Sequence, residues 1–192
     1  FGSTLRSILR QDPDVLLIGE IRDGETADIA VKFALTGHLV FSTVHANDAP
    51  GTITRLLDIG IAPFLVGSCL NLVMAQRLVR RLCNNCKEEY TPTKEELGLV
   101  GLDPSKVPGK LYKAKGCAEC RNTGYKGRLA IFEMIPMARD LRKLVFENAN
   151  EDEIRQASLN NGMETLREAG LARVLDGTTS IEEVLRSTVE DL

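Results

Sequence analysis

Val15-Leu16-Leu17-Ile18, followed at once by Gly19-Glu20 and, after one helical stretch, by Leu39-Val40-Phe41-Ser42-Thr43-Val44, decides the fold of this 192-residue chain. A short, unbroken apolar run with β-branched residues at both ends predicts a strand buried on both faces of a parallel sheet. From Gly24-Glu25-Thr26 the periodicity turns helical, with Ile29, Ala30, Phe33 and Ala34 placed to pack on a sheet and Gly37 closing the helix. Strand, helix and strand make a βαβ unit, so the expected fold class is α/β.

Upstream, residues 3–11 read as a helix with Leu5, Ile8 and Leu9 on one face and Arg6 and Arg10 together on another. Those two arginines are candidates for reaching a neighbouring subunit or a nucleotide, although a solvated or salt-bridged face accounts for them equally. The chain opens on Phe1 and enters that helix without lead-in, which predicts an upstream part of a longer polypeptide. Downstream, Gly51 to Ile59 predicts a short helix. Pro63 to Leu82 predicts a longer one, with Val66, Leu70, Val73, Met74, Leu78 and Leu82 as its apolar stripe and Arg77, Arg80 and Arg81 suited to its negative end.

The composition shifts between Cys83 and Gly127, where four cysteines, Pro92, Pro104 and Pro108 accompany one short helical candidate at Thr93 to Leu97. This segment reads as an inserted, metal-stabilised lobe. Arg128 to Ile135 predicts a strand, and the remainder is helical, with capping boxes at Asn150/Glu153 and Ser180/Glu183. Ile181, Val184, Leu185 and Leu192 line one side of the final helix. The expected domains are therefore 1–82, 83–127 and 128–192.

Apolar residues at 43% and charged residues at 27% are ordinary for a globular protein. A net charge of −3 offers no electrostatic footprint for nucleic acid. No apolar run approaches the roughly 20 residues that span a bilayer, and no signal-peptide pattern is present, so the chain reads as cytosolic.

Cys83-Asn84-Asn85-Cys86 and Cys117-Ala118-Glu119-Cys120 present two knuckles separated by 30 residues, each able to give two thiolates to one tetrahedral zinc ion. Four sulfurs without a histidine nearby leave no open coordination position, so such a site is structural. Redox Cys-x-x-Cys pairs usually open a helix, whereas these lie among loops. Cys69 stands alone and reads as a buried thiol.

A carboxylate just past a buried parallel strand, as Glu20 is, sits in the crevice where α/β sheets bind ligands and can hold magnesium directly or through water. By itself that signal is weak. It gains context from Leu9-Arg10-Gln11-Asp12-Pro13-Asp14-Val15-Leu16-Leu17-Ile18-Gly19-Glu20-Ile21-Arg22-Asp23 and, a helix later, Gly37-His38-Leu39-Val40-Phe41-Ser42-Thr43-Val44-His45-Ala46-Asn47-Asp48-Ala49. In order and separation these resemble the Walker B segment and histidine box of the secretion ATPase superfamily, which drives type II secretion and type IV pilus assembly. Gly124-Tyr125-Lys126-Gly127-Arg128 and the tetracysteine segment extend the resemblance over essentially the whole chain.

The resemblance implies part of a RecA-like P-loop ATPase core, a zinc lobe and a helical C-terminal region. Glu20 would be the Walker B acid near magnesium and the attacking water, with Arg22 and Asp23 in the same motif. Ser42, Thr43 and His45 would sense the γ-phosphate, and His38 and His45 would serve nucleotide sensing or subunit coupling. It also implies ATP, Mg2+ and Zn2+ as cofactors and a homohexamer working on an inner-membrane platform protein, cytoplasmic and peripheral to that membrane. Retraction motors of the superfamily generally lack the tetracysteine lobe, which tilts the reading toward secretion or pilus extension. The phosphate cradle Gly-x-x-x-x-Gly-Lys-[Ser/Thr] is absent from these residues. The chain alone is therefore expected to bind ATP weakly and not turn it over. The competing reading is a stand-alone zinc-stabilised interaction module, which would have no reason to keep Glu20, His38 and His45.

Overall fold

β1 (Val15–Ile18), α1 (Gly24–Leu35) and β2 (Leu39–Ser42) form the expected strand–helix–strand unit, with β1 and β2 parallel and in register from Val15 opposite Leu39 to Ile18 opposite Ser42. The computed structural model describes residues 7, 8, 11, 13–107 and 109–188. Arg6, Arg10, most of the helix expected at 3–11, and Leu192 lie outside the described residues. Asp23 caps α1 by accepting the Thr26 backbone N–H at 2.8 Å. Gly37, at φ +98°, turns the chain into β2 in a conformation that other residues rarely take.

After β2 come α2 (Ala49–Asp58), α3 (Pro63–Cys69), β3 (Leu72–Leu82), β4 (Glu88–Tyr90), α4 (Lys94–Leu99), β5 (Leu111–Lys113), β6 (Tyr125–Pro136), α5 (Arg139–Phe146), α6 (Glu151–Asn160), α7 (Leu166–Leu175) and α8 (Ile181–Ser187). Two compact units result. The first joins the residues up to Met74 with Met134–Met163, and the second joins Ala75–Glu133 with the residues from Glu164 onward. No described helix is long and apolar enough to cross a membrane.

In the first unit α1 packs on β2 and on α3, α3 on α5, and α2 and α5 on α6. Leu16 and Ile18 are buried, but Val15 and Leu17 are 54% and 75% exposed, and Leu39 and Phe41 beside them are also exposed. The expectation of a strand buried on both faces is thus corrected: among the described residues the β1–β2 sheet has two strands, and one face carries four apolar side chains in the open.

The long helix expected from Pro63 to Leu82 is the main error of the sequence reading. Helix α3 stops at Cys69, Leu70 adopts extended backbone at φ −70° and ψ 131°, and the chain continues as β3. Its stripe fits a 3.6-residue period, yet β6 pairs with β3 and offers backbone partners along an 11-residue strand. Tertiary pairing has overridden the local pattern, so the helix-dipole account of Arg77, Arg80 and Arg81 falls with the helix.

The second unit contains the antiparallel β4–β5 pair, whose short charged strands the sequence did not disclose and whose connection carries α4. Leu97, Val100 and Leu111 from the cysteine-rich segment share one apolar core with Leu171, Val174, Ile181 and Val184 from α7 and α8. Capping boxes close at Thr93/Glu96, Asn150/Glu153 and Thr165/Glu168.

The box expected at Ser180/Glu183 is only half made. Ser180 Oγ accepts the Glu183 N–H at 3.2 Å, but the Glu183 carboxylate turns inward. There it accepts the Arg80 N–H at 2.8 Å, Arg80 Nη2 at 2.6 Å and Arg186 Nη2 at 2.5 Å, with its side chain fully buried. Arg80 lies 4.0 Å over the Tyr125 ring, and the Tyr125 hydroxyl meets Ser180 Oγ at 2.7 Å.

Burial pushes the Glu183 carboxyl up, but the bonds from Arg186 and Arg80 outweigh it and hold the group at about 2, below its ordinary 4.5. A folded-state value depressed this way gives stability that is present above the ordinary value and lost as pH falls through about 2. Glu183→Gln is expected to cost about 3 kcal/mol at pH 7, seen as a lowered urea midpoint. The two proteins should converge as the pH falls from 4.5 toward about 2. Equal midpoints at pH 7 would show that the network carries no net stability.

Candidate functional site

Glu20 leaves the carboxyl end of β1, the edge of a parallel sheet at which ligands bind. Two bonds extend the pairing beyond the strands: Thr43 Oγ1 donates to the Gly19 carbonyl at 2.7 Å, and the Ile21 N–H donates to the Thr43 carbonyl at 2.8 Å. They hold the segment leaving β2 alongside the Glu20 turn. His45 Nε2 then meets Glu20 Oε2 at 2.9 Å, and Arg22 Nε meets the same oxygen at 2.7 Å.

The Glu20 side chain is 35% exposed, against 68% for Arg22 and 79% for His45, so the cluster faces solvent. Hydrogen bonds first from Arg22 and then from His45 hold the Glu20 carboxyl below the usual carboxylate range. The arrangement presents an oriented anion with two nitrogen donors on one of its oxygens.

Of the residues expected at the site, the structure brings Glu20, Arg22, Thr43 and His45 together. Ser42, opposite Ile18 at the end of β2, is beside them, and its Oγ reaches the Thr43 carbonyl at 3.4 Å. Asp23 spends its carboxylate on capping α1, Oδ1 on the Thr26 N–H and Oδ2 on the Thr26 hydroxyl at 3.2 Å. His38 lies at the other end of β2, its ring stacked 4.0 Å from that of Phe33 and Nδ1 2.9 Å from Thr36 Oγ1. Arg6 and Arg10 fall outside the described residues.

Asp48 was not singled out by the sequence reading, although an Asp ahead of Ala49-Pro50 signals a helix cap. It caps α2 through the Gly51 N–H at 2.8 Å and pairs with Arg155 of α6 at 2.7 Å.

In the second unit Cys83, Cys86, Cys117 and Cys120 converge, their sulfurs all within 4.8 Å of one another. Ligands about 2.3 Å from a tetrahedral zinc lie about 3.8 Å apart. The Cys83–Cys117, Cys86–Cys120 and Cys117–Cys120 separations are 4.0, 3.8 and 3.7 Å. The donor set therefore fits the ion.

Backbone N–H groups of Cys117 and Gly124 donate to Cys120 Sγ at 3.2 Å each, and Asn85 Nδ2 donates to Cys117 Sγ at 3.4 Å. Such donors favour thiolates over thiols. The Asn85 bond is the main cause that lowers the Cys117 thiol to about 6. Gly124, at φ +76°, lets the chain turn in against Ala114, whose Cβ a side chain there would meet at 2.5 Å.

The family described as Type II/IV secretion system protein matches residues 1–186. The type IV pilus assembly ATPase PilB of Myxococcus xanthus is 50% identical over 100% of this chain and 34% of its own length. The type II secretion system protein E of Pseudomonas aeruginosa is 49% identical over 100% of this chain and 38% of its own. The chain thus spans little more than a third of these relatives.

Among solved structures, the pilus retraction motor PilT with bound ADP superposes with a TM-score of 0.67 at 24% identity, covering 99% of this chain and 44% of that one. The Legionella pneumophila ATPase DotB gives 0.64 at 18%, covering 95% and 40%. These two show a shared fold. With the match running almost from end to end, the chain belongs to the Type II/IV secretion system protein family.

Proposed function

We propose that this chain is the Walker B and zinc-lobe part of a motor ATPase that powers type II secretion or type IV pilus assembly. The observation that carries the reading is Glu20 at the carboxyl edge of the sheet, held by Arg22 and His45. The exposed apolar face of β1–β2 supports its place in a larger RecA-like sheet, since parallel sheets are ordinarily covered on both faces.

In this reading the reaction needs positioning and charge stabilisation more than covalent chemistry. Glu20 accepts both nitrogen donors on Oε2, so Oε1 is the oxygen that orients the attacking water. His45 and Thr43, on the same edge, respond to the terminal phosphate, and Arg22 keeps the carboxylate ionised and aimed. Bound Mg2+ would neutralise phosphate charge beside Glu20. His38, away from this edge, suits subunit coupling better than phosphate sensing. Asp23 acts by setting the start of α1.

Cys83, Cys86, Cys117 and Cys120 would hold Zn2+ as a structural ion. The complete protein would work as a homohexamer on an inner-membrane platform protein, cytoplasmic and peripheral to the membrane. The pilus-assembly and secretion names of the relatives favour extension or secretion over retraction.

The complete protein is expected to hydrolyse ATP with Mg2+, and this chain alone to show no hydrolysis above background, because it carries no phosphate-binding loop. Steady-state phosphate release from both measures this. A folded complete protein without ATPase activity would overturn the motor reading. Hydrolysis by the chain alone, abolished by Glu20→Gln, would overturn its dependence on the missing loop.

A further inference from the structure

We infer that Arg155 is a positioning residue for this ATPase reaction, holding through Asp48 the segment that sets His45 against Glu20. The inference rests on the motor reading above. Between β2 and α2 the chain is held at its front and at its rear. At the front, Thr43 is bonded to Gly19 and Ile21 on either side of Glu20. At the rear, Asp48 divides its carboxylate: Oδ1 takes the Gly51 N–H at 2.8 Å, and Oδ2 takes Arg155 Nη2 at 2.7 Å. His45 lies between them.

Arg155 is the long-range half of that rear anchor, 107 positions away in the chain. Its Nη2 also meets Glu151 Oε1 at 2.9 Å, and Thr54 Oγ1 of α2 donates to Glu151 Oε2 at 3.3 Å. One guanidinium nitrogen thus ties two carboxylates, and α2 and α6 are joined twice.

The pair is better shielded than the helical surface pairs. Arg155 and Asp48 side chains are 33% and 22% exposed, against 70% and 51% for Lys32–Asp28, so solvent and salt screen it less. Gly51 supplies a second observation. A Cβ there would stand 2.9 Å from Asp48 Oδ1 and 3.5 Å from Glu151 Oε2, so the absent side chain makes room for both carboxylates. Helix α6 is itself set by its Asn150/Glu153 capping box and by its packing on α2 and α5.

If Arg155 is lost, Asp48 keeps its helix cap but loses its hold on α6. Asp48 stays bonded to the start of α2 through Gly51 and Thr52, but its tie to α6 is gone, so the rear of this segment shifts with α2 and His45 is placed less well against Glu20. An error of about 1 Å at a reacting centre costs up to about 100-fold in rate.

The test uses the complete protein with wild type, Arg155→Gln, Arg155→Lys, Asp48→Asn and the Asp48→Asn/Arg155→Gln double variant, reading kcat, KM for ATP and the thermal transition. Arg155→Gln is expected to lower kcat by about 10- to 100-fold with KM within about threefold. Lysine, able to give one N–H to Asp48, should restore part of the loss. The double variant should be no slower than the slower single one, because both changes break the same contact.

A kcat within about twofold of wild type in Arg155→Gln, or losses that multiply in the double variant, would overturn the inference. Should Arg155→Gln lose its thermal transition, Arg155→Lys and Asp48→Asn decide by the same kcat criterion. A wild type without turnover overturns this inference together with the motor reading. An active wild type, an inactive Glu20→Gln and an indifferent Arg155 overturn this inference alone.

Discussion

Glu20→Gln in the complete protein is expected to lower the rate of ATP hydrolysis by about 10²- to 10⁴-fold, the span attributed to a positioned base in proton transfer. The substitution keeps the length of the side chain and an oxygen that still accepts from His45 or Arg22. It removes the negative charge of a carboxyl that hydrogen bonds from Arg22 and then His45 hold below the usual carboxylate range. What is lost is therefore charge and basicity at a preserved position, and the KM for ATP should stay within about threefold. Steady-state hydrolysis at saturating ATP and Mg2+, with the thermal transition measured on the same samples, checks this. A rate within about threefold of wild type would remove Glu20 from the chemistry and leave it a strand-end surface acid.

The parts of the molecule that were legible in the sequence are those whose signal is local. The β1–α1–β2 unit spans one short stretch, and its strand composition, the Asp23 cap and Gly37 each speak for themselves. Both cysteine knuckles are local as well, which is why the four cysteines could be grouped before their sulfurs were seen within 4.8 Å.

β3 was not legible, because Val66 to Leu82 satisfies a helical period while the deciding interaction, pairing with β6, lies across the sequence. The β4–β5 pair has strands of three residues each, too short for alternation to register. Glu183 shows the same limit: its spacing from Ser180 is that of a capping box, but Arg80 draws its carboxylate into the interior. At the candidate site the sequence supplied Glu20, Arg22 and His45 through their resemblance to a motif. The tie from Asp48 to Arg155 leaves no local trace on the arginine side.

If the four cysteines hold zinc as proposed, its removal is expected to have a large structural effect. A structural zinc ion contributes on the order of 10 kcal/mol or more to the fold that binds it. The buried apolar side chains of the cysteine-rich segment, Leu97, Val100 and Leu111, do not form a core by themselves but share one with α7 and α8. The knuckles also carry the main chain, with the Cys83 N–H donating to the Gly124 carbonyl at 2.9 Å and Cys120 Sγ accepting two backbone N–H groups.

Metal analysis of protein purified without chelators should find about one zinc per chain, the stoichiometry of one four-thiolate site. Cys120→Ser should lose the ion. Hydrogen exchange should then quicken across residues 83–127 and in α7 and α8, while β1, α1 and β2 of the other unit keep their protection. Cys69→Ser, away from the cluster, should retain the metal. Protein that carries almost no zinc and whose four knuckle thiols react freely, yet which shows full exchange protection in this segment, would mean that packing alone holds the lobe.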